Sequence, residues 1–117
     1  MTEVVVELLH TEGCPNAAQY LPRLRRLATT AGIREPVAVR LITDAEQANR
    51  EQFLGSPTVR IDGRDVDPAA AARTGYGLSC RLYAGPDGLL GTPPDVWVTA
   101  LLHPATSAVP PPGQDRE

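Results

Sequence analysis

Lysine is absent from the chain, whose 11 basic residues are all arginine. That removes Schiff-base chemistry and any phosphate-loop lysine. Aromatic residues supply only 4% of the 117 positions, so the core has to be built from Val, Leu, Ile and Ala, and base-stacking platforms for single strands are argued against. Positive charge is scarce as well. A net charge of -3 leaves no basic patch to neutralise a phosphate backbone, and nucleic acid is not an expected partner. No apolar run approaches the ~20 residues that span a bilayer. Met1-Thr2-Glu3 opens acidic and Glu7 breaks the first apolar stretch, unlike a secretory signal, and no lipidation motif stands at either end. These features predict a cytoplasmic protein with no membrane partner. Only two cysteines occur, and in a reducing compartment they are expected to act as reactive groups or soft-metal ligands rather than as a structural disulfide. Lys-poor, Ala-, Arg- and Pro-rich usage is associated with GC-rich bacterial genomes.

The length fits one domain, expected over residues 1–104. Val4-Val5-Val6-Glu7-Leu8-Leu9 is a β-branched apolar run with the signature of a strand buried on both faces. After a loop from His10 to Gly13, Cys14-Pro15 puts a proline at a first helical position. Leu21, Leu24, Ala28 and Ala31 follow at helical spacing, and Gly32 ends the helix. Pro22 inside it should remove one backbone bond and kink it. Val37 to Ile42 repeats the buried-strand pattern, and Asp44 with Gln47 resembles a capping box opening a second helix to about Leu54. Thr58 to Asp62 alternates, with Val59 and Ile61 on one face, before an Asp62-Gly63 turn. Pro68 to Ala72 reads as one helical turn, Thr74 to Gly77 as loop, and Cys80 to Ala84 as a short fourth strand. Thr92-Pro93-Pro94-Asp95 has the composition of a helix start, with Thr92 as N-cap and the prolines in the first turn; Val98, Leu101 and Leu102 form the apolar stripe of that last helix. Residues 105–117, rich in proline, are expected to be a disordered tail.

Cys14 stands where a buried strand passes through a glycine-containing loop to a helix N-terminus. Unpaired N–H groups and the helix dipole favour a thiolate there, whereas most free cysteines are small buried hydrophobes. Ser56-Pro57-Thr58 precedes the alternating strand. This order of elements, with Gly13-Cys14-Pro15 and Ser56-Pro57-Thr58 at the two junctions, resembles the thioredoxin-like fold over Glu3 to Pro104. The resemblance implies an α/β fold of order β-α-β-α-β-β-α with a central mixed sheet. It also implies that Cys14 is the attacking thiol and Pro57 a cis-proline facing it, with the preceding backbone free to pair with an extended substrate. Asn16, Ser56, Pro57 and Thr58 would be the substrate contacts. One departure is plain: Ala17 stands where the resolving thiol of a Cys-x-x-Cys motif belongs, so ordinary exchange within the motif is closed to this chain. Thr11 to Pro15, Gly55 to Thr58 and Tyr76 to Tyr83 are also similar to small bacterial thioredoxin-like proteins catalogued near alkylmercury lyases. A lyase would need an acid to protonate the leaving carbon, and no carboxylate can be assigned to it.

Cys80 is the second candidate. It would either pack into the core, begin a strand far from Pro57, or sit on a segment that folds back over the Cys14 end. Arg81 beside it would favour an exposed thiolate. His10, four residues before Cys14, could serve as base or ligand, although an exposed or backbone-bonded loop histidine is the commoner outcome. His103 suits a helix C-terminus, and Arg23, Arg25 and Arg26 read as a solvated helix face. The expected functions are therefore thiol redox chemistry led by Cys14 with Cys80 or an external thiol resolving, capture of a soft metal or organomercurial by both cysteines, or a non-catalytic scaffold. The expected partner is a thiol, a disulfide or a thiophilic small molecule; no cofactor is expected beyond a soft metal, and zinc would need His10 or a partner chain.

Overall fold

The β-branched run at the start forms β1 (Val6–His10), and Pro15 opens the long helix α1 (Pro15–Thr30) at its first position, as its fixed φ favours. A computed structural model describes residues 4–86 and 88–102 of the chain; His103 and the tail expected over 105–117 lie outside the described residues. α1 continues through Pro22. The carbonyl this proline leaves without a donor belongs to Ala18, and both residues lie on the exposed side of the helix where water can reach them. Ala17, Tyr20, Leu24 and Ala28 make the buried stripe.

Next come β2 (Ala38–Leu41) and α2 (Ala45–Glu51). Asp44 caps α2 by accepting the Gln47 N–H at 2.8 Å, while the Gln47 side chain reaches back to the Thr43 N–H at 2.9 Å. The reciprocal cap is present, displaced by one residue at its return bond. Gln52 takes a left-handed conformation and ends the helix before Leu54. β3 (Thr58–Ile61) turns through Asp62 and Gly63, both at positive φ, directly into β4 (Arg64–Asp65). Two positive-φ residues are what a tight two-residue hairpin turn demands. The fourth strand is thus Arg64–Asp65, not the expected Cys80 to Ala84. Ala70–Ala72 forms a single 3₁₀ turn within the expected 68–72 stretch. A separate hairpin, β5 (Tyr83–Gly85) with β6 (Gly88–Leu90), then leads to α3 (Asp95–Leu102). Pro93 and Pro94 precede α3 instead of lying in its first turn, and the Trp97 N–H bonds to the Pro94 carbonyl.

The main sheet is mixed, with order β2-β1-β3-β4: β1 and β2 are parallel, while β3 is antiparallel to β1 and β4 to β3. Val6 and Leu8 of β1, Val59 and Ile61 of β3, the α1 stripe and Val98 and Leu102 of α3 form one core. On the opposite face Leu9 packs with Ile42, Ala48 and Phe53. Successive strand residues face opposite ways, which is why Leu8 and Leu9 enter different cores. β2 departs from expectation because it is the edge strand: Val39 and Leu41 are exposed, while Val37 and Ile42 just outside it are buried. α1 is tied to α3 by a two-pronged Arg23–Asp95 pair, at 2.8 and 2.5 Å, which holds the Asp95 carboxyl below its ordinary range. Among the described residues, no helix is long and apolar enough to cross a membrane.

Candidate active site around Cys14 and Ser56

Cys14 is the N-cap residue of α1, and its thiol makes no capping hydrogen bond. Its own N–H bonds to the Thr11 carbonyl at 3.3 Å, which closes the loop between β1 and α1. The thiol is half-buried and lines an open groove of about 330 Å³ together with Leu8, His10, Ala17, Leu21 and Val39. The groove exists because α1 covers β1 but leaves the neighbouring edge strand β2 bare. His10 ends β1, with Nδ1 2.9 Å from the Thr11 carbonyl. Asn16 does not line the groove; its side-chain amide packs against Gly91, where an added Cβ would collide with it.

On the other side of the loop stands Ser56, and the Thr11 N–H donates to its hydroxyl at 3.1 Å. The Ser56–Pro57 peptide bond is cis, as expected. Ser56, Pro57 and Thr58 are fully buried, and their polar groups are used within the chain. The Thr58 hydroxyl donates to the Gly55 carbonyl at 2.6 Å and accepts from Arg81 at 3.1 Å. The Pro57 carbonyl accepts from the Tyr83 hydroxyl at 2.6 Å. Nor is the Ser56 backbone free to pair with an extended substrate. Its N–H bonds to the Ser79 carbonyl at 2.9 Å and its carbonyl accepts from the Arg81 N–H at 3.0 Å, a parallel bridge between Ser56 and Cys80.

That bridge decides where Cys80 lies. It does not start a strand far from Pro57 but sits beside Ser56, on a segment that returns to the Cys14 end of the molecule. Bridge partners project to the same side of their pair, so Cys80 shares the side from which the Ser56 hydroxyl reaches Thr11. Nor does its thiol enter the core: Cys80 is exposed.

The cause is an inverted pattern, in which Arg81 and Tyr83 face inward and are 1% and 0% exposed while Leu82 is 55% exposed. Alternation then turns Cys80 outward with Leu82. Arg81 inside is held by Asp65, with Nη1 at 2.7 Å and Nη2 at 3.0 Å, by Asp67 at 3.5 Å, and lies 4.4 Å from the Tyr83 ring centre. Burial disfavours its charge, but the Asp65 hydrogen bonds, with Tyr83 and the two carboxylates, outweigh burial and hold the guanidinium above its ordinary range. Arg81 therefore braces the Ser56 loop from behind and is turned away from the Cys80 thiol. Asp65, Asp67, Arg81 and Tyr83 carry this brace; the sequence pointed to Arg81 only as a neighbour of the Cys80 thiol and to the other three not at all, and the one available signal was an arginine and a tyrosine two positions apart within a short apolar run.

Gly55 closes the arrangement. Its φ is +130°, and a Cβ there would lie 2.9 Å from the Ser79 carbonyl oxygen and 3.0 Å from Arg81 Cβ. Gly55→Ala is accordingly expected to push the 79–81 segment off Ser56 and to cost about 1–3 kcal/mol of stability. Urea denaturation reads the loss, and amide hydrogen exchange at Ser56 and Arg81 should accelerate before the rest of the sheet opens.

Among the described residues, no three His, Cys, Asp or Glu side chains gather so as to hold a metal ion, so His10 does not complete a zinc site with the cysteines. No known protein family, curated protein or solved structure matches the chain.

Proposed function

We propose that the protein is a thiol-disulfide exchange protein of thioredoxin-like architecture, in which Cys14 attacks and Cys80 resolves. The observation that carries this reading is the Ser56–Cys80 bridge, which brings the only second cysteine to the residue that holds the Cys14 loop. The sheet order and the helix-capping cysteine support the architecture. In the first step the Cys14 thiolate attacks one sulfur of a disulfide, forming a mixed disulfide and releasing the other half as a thiolate. Cys80, deprotonated, then attacks the Cys14 sulfur and expels the second half. The protein loses two hydrogens and the substrate gains them, as two thiols. A resolving thiol at position 17 is unnecessary because Cys80 fills that role from outside the motif.

The lyase-like alternative needs an acid beside the thiol, and among the described residues no carboxylate lines the groove. Capture of a soft metal by the two thiolates uses the same pair of residues and differs in its product. Intact-mass measurement separates these. Mild oxidation of the native chain should remove two hydrogens without forming a covalent dimer. If mass is unchanged by oxidation, yet one equivalent of Hg(II) gives a one-to-one adduct lost in Cys80→Ser, the protein is a metal-capturing module and exchange is wrong. If neither reaction occurs, the domain is a scaffold.

A further inference from the structure

Two features of the Cys14 neighbourhood limit what can reach its sulfur. An extended polypeptide binds beside a reactive residue by pairing with unsatisfied backbone groups. At Ser56 both backbone groups are already taken, by Ser79 and Arg81 of the same chain. The open edge of the main sheet on this side is the outer edge of β2, and a strand added there would lie two strand spacings, ~10 Å, from β1. The remaining approach is the groove itself, which is of the size that accepts small molecules.

Its lining is apolar apart from His10: Leu8, Ala17, Leu21 and Val39 surround the thiol, with no arginine among the lining residues. The cation on the buried side, Arg81, is neutralised by Asp65 and Asp67. Arg23 of α1 is paired with Asp95. The loop that leads into Cys14 adds a negative charge at exposed Glu12. An anionic thiol compound such as glutathione would bring carboxylates to a groove whose lining, among the described residues, holds no arginine to receive them, and desolvating them unpaired is costly.

We infer that the substrate of Cys14 is a small, uncharged, apolar disulfide or other sulfur electrophile, and neither a polypeptide nor an anionic thiol compound. This rests on the reading of Cys14 as the attacking thiol. The test uses the full chain and a series of methanethiosulfonate reagents, with which a thiolate forms a mixed disulfide and releases methanesulfinate. Rates of Cys14 modification, read by mass after proteolysis, are divided by each reagent's rate with N-acetylcysteine. The benzyl reagent should exceed the sulfonatoethyl reagent by about tenfold, as expected when an apolar ring is taken from water into an apolar groove. Val39→Asn, a substitution at an exposed position of β2 that lines the groove, should erase most of that advantage. Oxidised glutathione and a disulfide-linked peptide, normalised in the same way, should fall below benzyl disulfide.

Equal normalised rates across the series, or faster reaction with the glutathione or peptide disulfide, would overturn the substrate class and leave Cys14 as the attacking thiol. Failure of Cys14 to react with every reagent would overturn the attacking role and this inference with it.

Discussion

Arg81→Leu will cost the fold about 3–5 kcal/mol, the largest loss expected from any single substitution outside the apolar cores. The leucine fills part of the space but leaves Asp65, 13% exposed at its side chain, without its cation, and Asp67, 8% exposed, with only the longer 3.7 Å pair to Arg73. Thr58 loses a donor and Tyr83 the cation over its ring. Against a total stability of the order of 5–15 kcal/mol for a domain, urea denaturation should find the variant marginal. Arg81→Lys keeps the charge but cannot donate in the forked geometry that spans Asp65 and Thr58, so its loss should be intermediate. Adding Asp65→Asn to Arg81→Leu should recover part of the loss, because it removes one stranded charge. A loss under about 1 kcal/mol for Arg81→Leu would mean that the brace carries little of the stability assigned to buried ion pairs.

The second large effect is chemical. Cys14→Ser should abolish exchange with a model disulfide, a loss of several orders of magnitude, because a serine hydroxyl at neutral pH supplies no comparable nucleophile. Cys80→Ser should behave differently: the first step proceeds at the native rate and the second stops. Stopped-flow measurement of released thiol would then give one equivalent per chain instead of two. If Cys80→Ser loses the first step and Cys14→Ser retains it, the two roles are reversed.

The residues explain why much of this arrangement was legible and part of it was not. β1, α1 and β3 announce themselves through local signals: a β-branched run, a proline at a helix start, and strict alternation before Asp62-Gly63. The return strand β4 does not, since Arg64 and Asp65 offer no apolar pattern, and their pairing is carried by the backbone and the turn. β2 has the composition of a buried strand, but burial depends on what packs over it, and its position at the sheet edge leaves Val39 and Leu41 bare. The segment from Cys80 to Ala84 misleads most. Hydrophobicity would turn Leu82 inward and Arg81 outward, whereas Asp65 and Asp67 at β4 and just beyond it draw Arg81 in and so reverse the segment's faces. A one-residue change of phase moves every side chain to the other side, and here it brings Cys80 to the surface. Cys14 and Ser56 were readable from their neighbours in sequence; the place of Cys80 depends on partners about fifteen and twenty-five positions away.

The central claim is that Cys14 and Cys80 work as a pair. It is tested most directly by mixing Cys80→Ser, then the native chain, with an excess of benzyl disulfide and determining intact mass after acid quenching. The pairing predicts that Cys80→Ser accumulates a stable adduct of one benzylthio group, mapped by proteolysis to Cys14. The native chain should show no lasting adduct, only the loss of two hydrogens and a peptide pair linking Cys14 to Cys80. A native chain that keeps the benzylthio adduct as long as Cys80→Ser does would contradict it.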